Sequence, residues 1–192
     1  MKIIKTVLAF ALLLASLSGF SQESTNQFSV EIDPITFGFK GYGVHLRFKP
    51  KSTDHLLLGV GTYAMDFPSA LVDLNKENKD KNWQIRINHG YGLFGEYHFS
   101  EVNQKWFIGT QIALQEFKIK NDEFTGHQLF SNGLLLAYAG YSWKPFGNHF
   151  YIKPWAGIGY TSKLSGSNQL ETLVYHIDPI MMFATVHLGY TF

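Results

Sequence analysis

Nine ionisable side chains occur at positions that alternate with apolar residues, and together they could form one buried polar network. They are Glu31, Asp33, His45, Arg47, Arg86, Glu96, His98, Lys153 and His187. Carboxylates, imidazoles and cations can neutralise one another through charge-assisted hydrogen bonds, which is the role that we predict for this set. The same groups could instead line a narrow path for protons or small solutes, and this is the alternative interpretation.

Other chemistry finds little support in the sequence. The chain has no cysteine, and its eight histidines include no pair at i, i+2 and no His-Glu-x-x-His segment, so we predict neither thiol catalysis nor a metal site. The glycine-rich stretches lack the Lys-Ser/Thr ending of a phosphate-binding loop, and no cofactor is predicted. A formal net charge of +1 gives no electrostatic footprint for nucleic acid.

Strands are the elements that would position these side chains. Apolar and polar residues alternate from Tyr42 to Lys49, and the segment that starts at Gln84 continues the pattern over sixteen residues. Such alternation is typical of a strand with one apolar and one polar face, and sixteen residues exceed the usual strand of a soluble sheet. Eight such segments, joined by alternately short and mostly longer connections, predict an all-β, eight-stranded antiparallel up-and-down transmembrane β-barrel.

Aromatic residues give a second indication of a membrane. We expect one belt beside the short turns, formed by Phe48, Phe99, Trp106, Trp143, Phe146, Phe150 and Phe192. A second belt is expected near the longer loops, formed by Tyr63, Phe67, Trp83, Phe117, Phe130 and Tyr160. Two such girdles mark the interfaces of a membrane barrel. In the alternative, a soluble β-sandwich or lipocalin-like barrel, the same residues would belong to the core.

The first 21 residues have the layout of a secretory signal peptide. Lys2 and Lys5 precede an apolar run, and small residues follow it up to Ser21. The run is shorter than the about 20 residues that a membrane-spanning helix needs, so we predict cleavage after Ser21. Residues 1–21 would then be the signal peptide, and residues 22–192 a single outer-membrane barrel domain.

The last strand resembles the C-terminal signal that the outer-membrane insertion machinery reads in bacterial barrels. Gly189, Tyr190 and the terminal Phe192 carry this resemblance, with Leu188 and Val186 at the preceding alternate positions. The chain from residue 22 onward is similar to small OmpA/OmpX-type or OmpW-like barrels, and its predicted cleavage site resembles those of exported Bacteroidota proteins.

This resemblance implies a location in a Gram-negative outer membrane. It implies contact with outer-membrane lipids and lipopolysaccharide, and with the barrel-insertion machinery during assembly. The expected function is a non-enzymatic structural or surface-interaction role, with an extracellular partner that the sequence does not identify. The second hypothesis is a narrow, porin-like channel for small or hydrophobic solutes, and the third is a lipid A-modifying hydrolase, because one fold hosts many activities.

The hydrolase hypothesis depends on a few residues near the sixth strand. Lipid A deacylases carry His-x-Ser-Asn on a strand, whereas this chain has His127 followed by Ser131 and Asn132. Four residues of extended chain separate His127 from Ser131 by about 13 Å, too far for a hydrogen bond unless the segment bends. Glu116 or Glu123 could supply a carboxylate. No catalytic residue is therefore predicted.

The loop after the third strand is the most distinctive connection. Its first half, from Phe67 to Leu74, is apolar and could form a short helix that caps the barrel mouth. Its second half, from Asn75 to Asn82, alternates lysine with acidic residues and is expected to be solvated. An apolar cap could admit a hydrophobic ligand or present a surface to a partner.

Overall fold

The computed structural model describes residues 26–147 and 149–192, where the chain forms ten strands and two short helices. The strands are β1 (Gln27–Ile32), β2 (Tyr42–Lys49), β3 (Leu56–Asp66), β4 (Trp83–His98), β5 (Lys105–Asn121), β6 (Gln128–Ser142), β7 (Phe150–Gly166), β8 (Gln169–Leu170), β9 (Leu173–Val174) and β10 (Ile180–Thr191). The helices are α1 (Pro34–Gly38) and α2 (Ser69–Val72). No described helix is long and apolar enough to cross a membrane. The predicted signal peptide and its cleavage site lie outside the described residues.

Eight of the strands form a closed barrel. Their order around the barrel is β1, β10, β7, β6, β5, β4, β3 and β2. Every neighbouring pair is antiparallel, and β1 closes the ring by pairing with β2 on one side and β10 on the other. This arrangement confirms the predicted eight-stranded antiparallel up-and-down barrel. The remaining strands, β8 and β9, form a small hairpin in the loop before β10.

The wall of the barrel is taller on one side. β1 and β2 have 6 and 8 residues, whereas β4, β5 and β7 have 16, 17 and 17. The start of β1 and the end of the chain lie together at one end, where the Phe192 N–H donates to the Phe28 carbonyl at 2.9 Å. We call this the short-turn end and the opposite one the loop end. The extra length of the tall wall projects at the loop end.

Exposed apolar side chains, called the outer band below, lie on the outward faces of the barrel strands. Its large exposed side chains include Leu46, Leu58, Val60, Leu93, Ile108, Ile112, Leu114, Leu135, Ile158 and Met182. They point outward because successive side chains of a strand lie on opposite faces. On β5 the first charged outward residues are Glu116 and Lys118, which follow the last apolar residue of the band, Leu114.

A β-bulge in β4 reverses which residues face the interior. The pairing of β4 with β5 shifts between Ile87 and His89. On the loop-end side of this shift, Ile85 and Ile87 are buried. Arg86 points outward there and forms a partly exposed ion pair with Asp66 at 2.5 Å. The prediction that Arg86 belongs to the interior network was therefore wrong, because one extra residue exchanges the two faces of a strand.

An apolar core fills the interior at the loop end. Its buried members are Val72, Trp83, Ile85, Ile87, Phe117, Ile119, Phe130 and Leu170. Phe117 and Phe130 stack with their ring centroids 5.1 Å apart. The predicted aromatic belt near the longer loops was thus wrong for Trp83, Phe117 and Phe130, because the tall wall extends beyond the outer band and turns these side chains inward. It was also wrong for Tyr63 and Phe67, which are partly buried and pack against the same core. Tyr160 is exposed on the outward face, as expected for a belt.

Aromatic side chains are exposed at the short-turn end, as predicted. Phe99, Trp106, Trp143 and Phe146 all point away from the barrel interior and have exposed rings. Trp106 packs edge-to-face against Tyr141, with ring centroids 5.2 Å apart. The short-turn end therefore carries exposed aromatic residues of the belt that was predicted beside the short turns.

Two loops close over the apolar core. α2 buries Val72 in that core, which confirms the predicted helical cap. The second half of the same loop is not fully solvated, because Asn78 is buried and exchanges two hydrogen bonds of 2.8 Å with the backbone of His176. Asn75 donates to the Asp178 carboxylate at 2.7 Å. The loop end is therefore a folded cap tied together by side-chain amides.

Candidate interior polar site

The strand register places the interior charged residues at similar heights along the barrel axis. Glu31 on β1 lies opposite His45 on β2 and opposite Gly189 on β10. Lys153 on β7 pairs with His187 on β10. Directly opposite side chains on one face of an antiparallel pair are about 4.5–5.5 Å apart at Cβ. Inward-facing groups from widely separated parts of the chain therefore meet at the centre of the barrel.

Glu31 is fully buried and has the most hydrogen-bond partners in the site. Its Oε2 accepts from Arg47 Nε at 2.9 Å and from Arg47 Nη2 at 2.8 Å. Its Oε1 accepts from the Tyr151 hydroxyl at 2.8 Å and from Lys153 Nζ at 2.5 Å. His187 Nδ1 lies 3.0 Å from Oε2. Oε2 is thus shared by Arg47 and His187, and Oε1 by Tyr151 and Lys153.

Glu96 on β4 is the second carboxylate of the network. It accepts from the Tyr138 hydroxyl at 3.0 Å and from Lys153 Nζ at 2.9 Å. His98 Nε2 lies 3.2 Å from its Oε2, and Arg47 Nη2 lies 3.5 Å from its Oε1. Lys153 and Arg47 therefore each contact both carboxylates, which joins the charges into one cluster.

The four permanent charges of this cluster cancel. Glu31 and Glu96 supply two negative charges, and Arg47 and Lys153 supply two positive ones. Arg47 also lies over the ring of Phe94, 4.3 Å from its centroid. An eight-stranded barrel has an interior that side chains just fill, and here charged, hydrogen-bonded side chains fill it. The arrangement favours a sealed structural network over an open path.

Hydrogen bonds assign the tautomer of His187. The indole Nε1 of Trp155 can only donate, and it donates to His187 Nε2 at 3.2 Å. Nε2 is therefore unprotonated, and Nδ1 carries the proton that is donated to Glu31. His45 and His98 differ, because each has a buried Nδ1 with no hydrogen-bond partner among the described residues. His45 Nδ1 lies 3.9 Å from Glu31 Oε2.

Three potential metal ligands converge inside the barrel. Glu31, His45 and His187 each offer one ligand atom, these atoms lie within 4.8 Å of one another, and all three residues are buried. The spacing of histidines along the sequence does not reveal this group, because its members come from three different strands.

Glycines opposite the large interior side chains provide the space for them. A Cβ atom placed on Gly61 would lie 1.9 Å from Cδ2 of His45, its cross-strand neighbour. A Cβ atom on Gly189 would lie 2.1 Å from Cζ of Tyr151. The glycines are therefore required by packing, and any side chain at these positions displaces a member of the network.

We expect Gly61→Ala to lower the free energy of unfolding by about 1–3 kcal/mol, the usual cost of overpacking a core. The measurement is urea unfolding of the purified barrel in detergent and metal-free buffer. The double variant Gly61→Ala/His45→Ala should recover most of the loss, because it removes the clashing ring. Gly95→Ala is the control, since a Cβ there meets nothing within 4 Å. A loss that persists in the double variant would contradict the packing explanation.

Seven of the nine predicted residues lie inside the barrel at this site. They are Glu31, His45, Arg47, Glu96, His98, Lys153 and His187. Asp33 lies at the edge of the site, just before α1. Its carboxylate accepts hydrogen bonds from the Ile35 N–H at 3.0 Å, which caps α1, and from the Thr185 hydroxyl at 2.8 Å. Arg86 lies outside. The sequence analysis missed Tyr138 and Tyr151, although alternation places Tyr151 on the same face as Lys153.

An ion pair closes the interior at the short-turn end. Lys49, the last residue of β2, is buried and donates to the carboxylate of Asp54 in the following turn. The hydrogen bond from Lys49 lowers the pKa of Asp54. The nearby hydroxyls of Ser29 and Thr191 are 2.9 Å apart and link β1 to β10.

The residues of the predicted insertion signal occupy both faces of β10. Gly189 faces the interior next to Tyr151, whereas Tyr190 is exposed on the outward face. Phe192 lies at the short-turn end, bonded through its N–H to β1. Recognition of this segment by an insertion machinery stays a prediction.

The residues of the hydrolase hypothesis do not assemble into a catalytic group among the described residues. Ser131 pairs with Glu116 on the outward faces of β6 and β5, and Glu116 accepts from the Asn88 amide at 3.1 Å. His127 is exposed in the turn before β6. Within the described part of the chain no hydrogen bond joins His127 to Ser131, so no base is positioned to activate the serine.

Comparisons with known proteins add two structures of similar shape. No protein-family model matches the chain, and no curated protein matches its sequence. The N-terminal β-barrel domain of Pseudomonas aeruginosa OprF is 15% identical, with a TM-score of 0.47, covering 86% of this chain and 97% of that one. Neisserial surface protein A (NspA) is 8% identical, with a TM-score of 0.43, covering 86% of this chain and 94% of that one. The strand pairing of the chain itself identifies it as a closed, eight-stranded antiparallel β-barrel.

Proposed function

We propose that this protein is a non-enzymatic outer-membrane β-barrel with a structural or surface-interaction role, inserted with its loop end outward. The observation that carries the proposal is the outer band, which exposes apolar side chains around the barrel while the charged network is buried inside. Soluble monomers rarely expose contiguous apolar patches larger than a few hundred Å². An apolar exterior around a polar interior suits a protein whose solvent is lipid.

The height of the outer band supports this placement. Along β5 it runs from Trp106 to Leu114, about 26 Å of strand at about 3.3 Å per residue. A tilt of about 40° reduces this to about 20 Å along the membrane normal, close to the about 25 Å apolar band of outer-membrane barrels. The charged residues Glu116 and Lys118 would then lie at the level of the lipid headgroups.

The folded loop end supports a role at the cell surface. Its apolar core and the amide bonds of Asn78 hold the long loops in one arrangement above the outer band. A fixed projection suits recognition by a partner better than transport through the barrel. The channel alternative has less support, because the interior is filled at two levels, by the charge-paired network and by the apolar core.

Cell fractionation tests the membrane placement. We expect the protein in the outer-membrane fraction, with an electrophoretic mobility that changes on heating because the folded barrel resists detergent. Labelling of intact cells with a membrane-impermeant maleimide tests the orientation, since the chain has no cysteine of its own. Leu74→Cys at the loop end should be labelled, whereas the equally exposed Phe146→Cys at the short-turn end should not. Recovery only in the soluble periplasm would overturn the proposal.

A further inference from the structure

We propose that Glu31, His45 and His187 form a binding site for a first-row divalent metal ion of the zinc type, held inside the barrel. Two imidazole nitrogens and one carboxylate oxygen are a ligand set that Zn²⁺ takes in proteins, with a fourth position left for water. The ligand atoms already lie within 4.8 Å of one another. Bonds of about 2.0–2.2 Å to the ion bring such atoms closer together, so binding requires small rotations of the two rings.

The unpartnered nitrogen of His45 is the first observation that points to a ligand. His45 is buried, and its Nδ1 has no hydrogen-bond partner although it faces Glu31 Oε2 at 3.9 Å. That distance is too long for a hydrogen bond. A buried polar atom without a partner calls for an explanation such as an ion or a water molecule. An ion bound between them would give His45 Nδ1 a partner, and at Glu31 Oε2 it would replace the hydrogen bond from His187 Nδ1.

His187 has a second partner that suits the metal-bound form. When Nδ1 binds a metal, the proton moves to Nε2, which then gives up the hydrogen bond from Trp155. Asp33 Oδ2, 4.0 Å from Nε2, is the nearby carboxylate that can accept this proton after a small rotation of the ring. Metal-binding histidines commonly donate their other N–H to a carboxylate, which fixes the ring and raises its basicity. Asp33 is placed for this role by its position at the N-terminus of α1.

The charge around the site tolerates a cation. Arg47 and Lys153 oppose an ion near Glu31, but Glu31, Glu96 and Asp33 supply three carboxylates against these two cations. The surroundings therefore have one net negative charge before an ion binds. Arg47 and Lys153 can keep their hydrogen bonds to Glu31, since carboxylates that bind metals are themselves commonly hydrogen-bonded.

A metal at this position would join the strands that close the barrel. Glu31 lies on β1, His45 on β2 and His187 on β10. The seam between β1 and β10 contains four paired positions, from Ser29 to Ile32, whereas β10 pairs with β7 at eleven positions, from Ile180 to Tyr190. An ion that binds only the closed form stabilises that form by mass action. The bound ion would therefore cross-link the strands at the shortest strand pairing in the barrel.

The test uses the purified full-length barrel in detergent after treatment with a chelator. We expect ZnCl₂ to raise the apparent Tm by several degrees, and CoCl₂ to produce a visible absorption band with a stoichiometry of one ion per chain. MgCl₂ should do neither, because Mg²⁺ prefers oxygen ligands. His45→Ala and His187→Ala should each abolish both effects, whereas His127→Ala, which changes an exposed loop residue, should leave both intact.

Wild-type protein that shows no Tm shift and no Co²⁺ band would overturn the proposal, whatever the variants do. Retention of both effects in His45→Ala would also overturn it, by placing the ion elsewhere. These readouts are obtained in detergent and do not depend on the location of the protein in the cell. A failure of the metal site is therefore distinguishable from a failure of the outer-membrane proposal.

Discussion

Glu31→Gln is expected to lower the free energy of unfolding by about 3–5 kcal/mol, the cost of leaving buried charge without its partner. The amide keeps the shape of the side chain but removes the negative charge that Arg47 and Lys153 share. One buried carboxylate, Glu96, would then face two cations. Urea unfolding of the barrel in detergent, followed by tryptophan fluorescence, measures the loss.

Two comparisons show whether charge pairing causes the loss. Glu31→Gln/Lys153→Met restores a balance of one carboxylate and one guanidinium, and it should recover most of the stability. Asp66→Asn removes a carboxylate from the partly exposed ion pair with Arg86, and exposed pairs contribute only about 0–1 kcal/mol. If Glu31→Gln were as mild as Asp66→Asn, the interior would be wet enough to solvate its own charges.

Ile112→Arg should destabilise the barrel in lipid vesicles by about 2–4 kcal/mol, the cost of arginine near the middle of a bilayer. Ile112 belongs to the outer band and is 62% exposed. Leu74 is 74% exposed, but it lies in the loop that follows α2. Leu74→Arg should therefore change stability little, because its side chain meets water. Equilibrium unfolding from vesicles measures both variants.

This pair of substitutions discriminates between lipid and water around the barrel. In a soluble barrel both sites would face water, and surface substitutions usually stay within about 0.5 kcal/mol. Equal, small effects of Ile112→Arg and Leu74→Arg would therefore contradict the proposed membrane placement. A large effect confined to Ile112→Arg would support it independently of cell fractionation.

Alternation in the sequence was sufficient to predict the barrel and most of its interior. His45 and Arg47 follow every second position of β2, and the short strand before them places Glu31 on the same inward face. The prediction succeeds because, within the outer band, the outward face of the strands is mainly apolar. The same rule also places Tyr151 beside Lys153, a signal that was present but not used.

The rest depends on features that have no local signature. The bulge in β4 inserts one residue near Asn88, where the apolar alternation is interrupted by His89. The same apolar positions resume after this interruption, so Arg86 was placed on the wrong face. Trp83 and Phe130 resemble belt residues in sequence, but they lie above the band, where the tall wall encloses a core. The grouping of His45 with His187 arises from register across the seam, which single-strand periodicity does not contain.

The short seam between β1 and β10 also has a consequence for folding kinetics. At this seam the hydroxyl groups of Ser29 and Thr191 meet although the two residues are 162 positions apart in the sequence. Every other pair of neighbouring strands in the barrel consists of barrel strands that follow one another in chain order. The entropy of loop closure grows with loop length, so these consecutive hairpins can form before the ring closes. Until it closes, β1 and β10 are open edges with unpaired backbone groups, which lipid cannot satisfy. If the barrel inserts into a membrane as we propose, ring closure is the step that removes these open edges, and it depends on four pairs of residues.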